Sequence, residues 1–293
     1  MSVSVAIRPK SVLSHVDDAK LEFVNFGVVD WRNATVAQRA AFMRDTVTPA
    51  VVAMRVKHGF AARFERLLTP PDANHKFEMT DAPTFALTLA MAASSGIVNT
   101  CPWAGDCRKV CVLTNGNGAY PAVQRARNWK TEFLIEHSYL FGFLLASELG
   151  RLAPGTRVRL NAASDIRWER VYSLFTTFPE LRFYDYSKSL KRATASASDP
   201  TWPTNYRVVY SVSERSDADA VATLLASGGF AAIVTDRKKG TPTLSTWRGF
   251  PVVDGDVTDD LWRLAAGTLT DLSAKGRART MGVGGFVKHL ASF

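Results

Sequence analysis

The chain has 293 residues, 46% of them apolar, and a formal net charge of +9 from 36 Lys and Arg against 27 Asp and Glu. That length can bury a large core in one or two domains. No run approaches the roughly 18 uncharged apolar residues of a membrane span, which excludes a spanning helix. The start, Met1 to Lys10, lacks a hydrophobic signal core, so the expectation is a cytoplasmic protein with no membrane partner. The positive charge is spread along the chain, with clusters at Arg55–Arg66, Arg237–Lys239 and Lys275–Arg279. It admits nucleic acid or another polyanion as partner without establishing one.

In chain order, the first 80 residues read as a mainly helical extension. Asn33 or Thr35 caps a short helix. A second helix is predicted from about Pro49 to Leu68, with Val52, Val56, Phe60, Phe64 and Leu67 at helical intervals, and Thr69-Pro-Pro-Asp ends it. From residue 81 to 293 the pattern becomes strand, loop, helix. Thr84–Met91 is a predicted strand, and Pro121 opens a long helix to Leu149. Further strands are predicted at Arg157–Asn161, Leu181–Tyr186, Tyr206–Val212, Phe230–Thr235 and Phe250–Val253, with helices at Ile166–Phe175 and Ser216–Ala226. Strands and helices alternating in this way indicate βαβ units and a parallel sheet. The expected fold is α/β, an incomplete (β/α)6 TIM-like barrel, with a doubly wound sheet as the alternative.

The chemistry concentrates between the first strand and the long helix. All three cysteines, Cys101, Cys107 and Cys111, fall within eleven residues, spaced C-x5-C-x3-C. Thiols used for packing would be scattered, whereas three on one loop converge on a point. A disulfide framework would leave one unpaired. A soft metal centre is the economical reading, with a [4Fe–4S] cluster as the leading candidate. Three cysteine ligands leave one iron open, to a small molecule or to another protein group. Zinc as Cys3His is the alternative, but His15, His58, His75, His137 and His289 all lie outside the loop, the nearest 26 residues from an outer cysteine.

In parallel α/β folds, functional groups gather at the C-terminal ends of the strands. Those ends supply Asn161, Ser164 and Asp165; Asp185, Tyr186 and Lys188; Ser211, Ser213, Glu214 and Arg215; Asp236, Arg237 and Lys238; Asp254 and Asp256. Asn161, Ser164, Asp165, Tyr186 and Lys188 are the candidate cofactor-binding residues. Lys188, directly after an aromatic strand, suits a carboxylate or phosphate.

The segment Cys101-Pro102…Cys107-Arg108-Lys109-Val110-Cys111, the helix around Gln124–Trp129, the strand end Arg159–Asp165 and Phe183–Lys188 together resemble the gene-product-88-like proteins of actinobacteriophages. The likeness covers about residues 83 to 190. Val112 and Ala163 depart from it, standing where the family has an aromatic residue and a glycine. It implies a cluster-binding barrel akin to radical-SAM proteins, encoded by a phage and acting in the bacterial host cytoplasm. It names no reaction. Radical-SAM chemistry would add S-adenosylmethionine as a cofactor at the open iron. The spacing departs from the C-x3-C-x2-C of those enzymes, and Ala162–Asp165 stands where they have Gly-Gly-Glu. The rival readings are a non-enzymatic Fe–S redox sensor, a protein that contacts a host protein, and a zinc-stapled nucleic-acid-binding protein.

Overall fold

The computed structural model describes residues 26–73, 82–257 and 260–293. The extended start, His15, His75 and the boundary expected near residue 80 lie outside the described residues. The chain builds one sheet of nine strands: β1 (Leu68–Thr69), β2 (Thr84–Leu87), β3 (Arg157–Arg159), β4 (Arg182–Ser187), β5 (Tyr206–Ser211), β6 (Phe230–Thr235), β7 (Thr246–Trp247), β8 (Phe250–Asp254) and β9 (Leu269–Ser273). Their order is β1-β2-β3-β4-β5-β6-β9-β8-β7. The seven strands from β2 to β8 in that order pair in parallel, whereas β1 and β7 add antiparallel at the two edges.

The α/β class is as expected, but the sheet does not close into a barrel. The outer edges of β2 and β8 carry the two-residue strands β1 and β7 instead of meeting each other. Strand β9 is a second difference. It inserts between β6 and β8, so the predicted Phe250 strand is not the neighbour of β6. The segment Leu269-Thr-Asp-Leu-Ser has two polar and two apolar positions before its last residue, too short and mixed a pattern to announce a buried strand.

Alternation of side chains splits the sheet into two faces. Val158, Phe183, Tyr206, Val208, Ala231, Ile233 and Leu269 pack with the helices in the main core, around Phe141, Leu144, Trp168 and Leu224. Tyr184, Val209, Phe230 and Ala232 form a smaller cluster on the other face, against Leu261 and its neighbours Trp262 and Leu264. The helices therefore cover one face of the sheet.

The helices differ from their sequence reading in length. Thr35 caps Val36–Phe42 through a reciprocal box with Gln38. The next helix, Thr48–Lys57, stops eleven residues short of the predicted end at Leu68, because Gly59 turns the backbone to φ 76°. The long helix is two, Pro121–Glu136 and Ser138–Leu149, broken where His137 leaves helical geometry at φ −132° and ψ 47°. Near its C-terminal end the second of these carries Glu148, 8% exposed, whose two oxygens accept from the N–H groups of Leu67 (2.8 Å) and Leu68 (2.9 Å). Lys130 Nζ donates to the Leu67 carbonyl at 2.7 Å, so β1 is held to the core by a buried pair of opposite charges. Removing that carboxylate leaves two buried donors without acceptors. Glu148→Ala is expected to cost about 2–4 kcal/mol in urea unfolding, and a loss under about 1 kcal/mol would show that β1 is held otherwise.

Candidate functional site

The cysteine loop leaves β2 and is fixed mainly by its own backbone. Thr100 Oγ1 donates to the Ala90 carbonyl at 2.5 Å, Cys101 N–H to Asn99 Oδ1 at 3.0 Å, and Ala104 N–H to the Cys101 carbonyl at 3.1 Å. Ala92, at φ 42° in the left-handed region that a non-glycine residue seldom adopts, directs its N–H to Cys101 Sγ at 3.4 Å. Two short 3-10 turns, Asp106–Arg108 and Val112–Thr114, place Cys107 inside the first and Cys111 just before the second. Arg127, from the Pro121–Glu136 helix, donates to the carbonyls of Leu113 and Gly118 and lies close enough to Cys111 to feel its charge.

All three thiols are free and half-buried. They share one electrostatic neighbourhood. Burial pushes the Cys101 thiol up, with Asp165 and Cys111 adding to the shift. Burial does the same to Cys111, with Cys107 adding to it. The raised pKa holds Cys101 and Cys111 as protonated thiols at neutral pH.

The second strand end meets the loop directly. Asp165 N–H donates to the Thr100 carbonyl at 2.8 Å, and Cys101 Sγ contacts the Ala163 carbonyl at 3.4 Å. The third strand end follows. Lys188 N–H donates to Asp165 Oδ2 at 2.8 Å, while its Nζ donates to Ser211 Oγ and the Val212 carbonyl, both at 2.9 Å. Burial brings the Lys188 ammonium down to about 8, against the opposing pull of Cys107, Asp165 and Glu214. Asp165 and Lys188 thus stand beside the cysteine loop.

Asn161 and Ser164 are one step behind. Asn161 Oδ1 accepts from Ser164 Oγ, Ile166 N–H and Trp168 Nε1, and its Nδ2 donates to Ile166 O and Asp185 Oδ2. That uses the whole donor and acceptor capacity of the amide, so Asn161 shapes the loop that presents Asp165. Tyr186 turns to the opposite face of the sheet from Asp185, where the Arg159 guanidinium lies 4.6 Å from its ring centre.

Beneath the site runs a buried ionic network. Arg192, 5% exposed, donates to Asp165 Oδ1 (2.8 Å), to both oxygens of Glu169 (2.9 and 2.8 Å) and to Tyr206 Oη (2.9 Å). Tyr206 Oη in turn donates to Asp185 Oδ2 at 2.9 Å, and Asn161 N–H donates to Asp185 Oδ1 at 2.6 Å. Every acidic group of this network has a defined donor, which fixes the two strand ends against each other.

Two contributors were not selected from the sequence. Phe286 lies under Lys188, its ring centre 4.6 Å from Nζ, in a C-terminal segment that packs on the loop: Val110 shares a small core with Ala274, Ala278 and Val287. Glu214, after β5, reaches over the loop. A β-carbon at Gly105 would meet its Oε1 and lie 2.7 Å from its carboxyl carbon, so the carboxylate packs directly on the loop backbone there. Arg215 Nη2 donates to the Trp103 carbonyl at 2.5 Å, a second tie between these segments. Neither signal is local. One is a glycine between two cysteines, the other a glutamate among many polar strand-end residues, and only the tertiary contact joins them.

Among the described residues, no group of three or more His, Cys, Asp or Glu side chains is arranged to hold a metal, the three cysteines included.

The fold and this edge define an α/β protein with a three-cysteine loop at the C-terminal ends of its parallel strands. The family described as Gene product 88, a phage family, matches residues 64–282, and the chain belongs to it. The match spans β1 to β9, the cysteine loop and Asn161, Ser164, Asp165, Tyr186, Lys188 and Glu214, while Phe286 lies beyond it. No curated protein and no solved structure matches the chain. No helix among the described residues is long and apolar enough to cross a membrane.

Proposed function

We propose that this is a phage-encoded iron–sulfur protein acting in the bacterial host cytoplasm, with Cys101, Cys107 and Cys111 holding one [4Fe–4S] cluster and one iron left to a non-cysteine ligand. The observation that carries the reading is the meeting of all three thiols of the chain in one electrostatic neighbourhood at a strand-end edge. When bound, such a cluster supplies one-electron chemistry, and in radical-SAM proteins its open iron takes the amine and carboxylate of S-adenosylmethionine. Kinship with those barrels is supported by the sequential parallel order of β2 to β6 and by helices on one face. In this reading Asp165 and Lys188 face the site, while Asn161, Ser164 and Arg192 position them. The rival is a zinc-stapled protein that binds nucleic acid.

Anaerobic purification with iron, sulfide and zinc analysis tests the proposal. The expected result is a brown protein with four irons and four sulfides per chain, and loss of most of the iron in each of Cys101→Ala, Cys107→Ala and Cys111→Ala. A colourless protein with stoichiometric zinc, or full iron retained in two of the three variants, would overturn it. Titration of the reduced protein with S-adenosylmethionine then separates enzyme from sensor. A changed electron paramagnetic resonance spectrum and release of 5′-deoxyadenosine mark the radical enzyme.

A further inference from the structure

Two of the basic clusters seen in the sequence, Arg237–Lys239 and Lys275–Arg279, are brought together by the sheet. They follow β6 and β9, which pair in parallel, so both leave the sheet at the C-terminal edge that carries the cysteine loop. Ala274 N–H donates to the Thr235 carbonyl at 3.0 Å and ties the two exits to each other. The 3-10 turn Gly276–Thr280 then reaches the cysteine loop, where Ala278 shares the small core around Val110 and Gly276 lies against the Asn115 side chain.

Each cluster divides its cations between two tasks. Arg237, its side chain 8% exposed, donates to Asp254, Asp256 and Asp271, and Lys275 pairs with Asp256. These two neutralise the inner carboxylates of the edge. Arg237 also donates to the Thr241 carbonyl at 2.7 Å, and Thr241 N–H closes a turn onto the Lys238 carbonyl at 3.0 Å. Gly240 takes φ 86° at the third position of that turn, which holds Lys238 and Lys239 out at its tip. Across the edge, Ala278 is buried and leaves its neighbours Arg277 and Arg279 on the outer side.

Lys238, Lys239, Arg277 and Arg279 are all exposed, and none forms an ion pair with a described residue. The other acids of this edge are already matched: Asp106 to Lys109, Asp165 to Arg192, Glu214 to Arg215 and Asp236 to the His289 ring. The charge of these side chains is therefore surplus, and a local excess of one sign attracts a polyanion. Cations on separate, clamped turns suit a polymer that repeats its charge, and lysine and arginine both serve phosphate.

We propose that Lys238, Lys239, Arg277 and Arg279 form a rim that binds the phosphate backbone of a nucleic acid and lays it across the strand-end edge. This goes beyond the cluster reading and does not depend on it, since none of these residues belongs to the cysteine loop.

The test measures binding of labelled single-stranded DNA, single-stranded RNA and duplex DNA, each of about 20 nucleotides, to the full-length chain over a salt series. Wild type is expected to bind at least one of them, with affinity falling steeply as salt rises. Lys238→Gln/Lys239→Gln and Arg277→Gln/Arg279→Gln are each expected to bind about tenfold more weakly and to lower the salt slope by about 2, one for each phosphate contact removed. Arg151→Gln/Arg182→Gln removes the same charge from exposed positions that precede β3 and open β4, at the opposite end of the sheet, and is expected to bind as wild type does. Urea midpoints verify folding, and the two rim variants report independently should one of them fail to fold. Full affinity in a folded rim variant, or an equal loss in the control, would overturn the site. Wild type that binds none of the three, or is retained only on vesicles containing phosphatidylserine, would overturn it too. Iron and sulfide content of the same samples reads the cluster proposal separately.

Discussion

Replacing Arg192 by alanine is expected to destabilise the protein by about 3–5 kcal/mol, the range for removing one partner of a buried ion pair. The guanidinium is the shared donor to Asp165, Glu169 and Tyr206, and it is almost fully buried. Without it Asp165 and Glu169 are left as low-dielectric carboxylates with no cation between them. Arg192→Lys keeps the charge but cannot bridge the two carboxylates with a planar fork, so it should recover less than half of the loss. Urea unfolding of the two variants measures both effects. A cost for Arg192→Ala below about 1 kcal/mol would mean that the network contributes little to holding the strand ends, and that Asp165 is positioned by its bonds to Lys188, Ser187 and Thr100.

Raising the pH from about 4 to about 7 is expected to lower stability through Asp185. Complete burial pushes its carboxyl up to about 7, although the Asn161 backbone N–H, Arg192, Arg159 and Tyr206 all favour the ionised form. The unfolded chain releases this proton near the ordinary aspartate value of about 3.9. Between the two values the folded state holds one proton more than the unfolded state, so stability falls as pH rises and the loss is complete once pH exceeds about 7. At about 1.4 kcal/mol per unit, the change is of the order of 3–4 kcal/mol. Asp165 and Glu148, also pushed up by burial, act in the same direction, so the informative quantity is the difference between wild type and Asp185→Asn. The variant should show a flatter profile across that window. Parallel profiles would show that Asp185 stays ionised in the folded chain.

Much of the site was legible because the chemistry is concentrated in local sequence. Three cysteines on one loop, and the strand ends carrying Asp165 and Lys188, need only the rule that parallel strands deliver their C-terminal ends to one edge. The parts that were not legible depend on contacts between distant segments. Asn161 looks like a ligand in the sequence, but its amide is spent on Ser164, Ile166, Trp168 and Asp185, which no local pattern announces. Glu214 meets Gly105 across more than a hundred residues, and Phe286 reaches Lys188 from the C-terminal segment. The helix from Pro121 was overextended because apolar spacing continues unbroken through His137, and a single non-helical residue leaves no periodic trace. The open sheet follows from two-residue edge strands, which are too short to show any period.

Strand β9 bears on how the molecule is made. As the chain is synthesised, β3, β4, β5 and β6 each find the preceding parallel strand already present. β8 does not, because its parallel neighbour β9 emerges only later, and β9 must also bridge back to β6. A chain ending after Asp254 would therefore lack β9 and carry β8 with no place in the sheet, so one missing strand amounts to two. The same late segment continues into the residues that pack on Val110 and bring Phe286 under Lys188. The cysteine loop is thus synthesised well before the residues that cover it. The order of translation, with no hinge required, sets how long that loop stays uncovered.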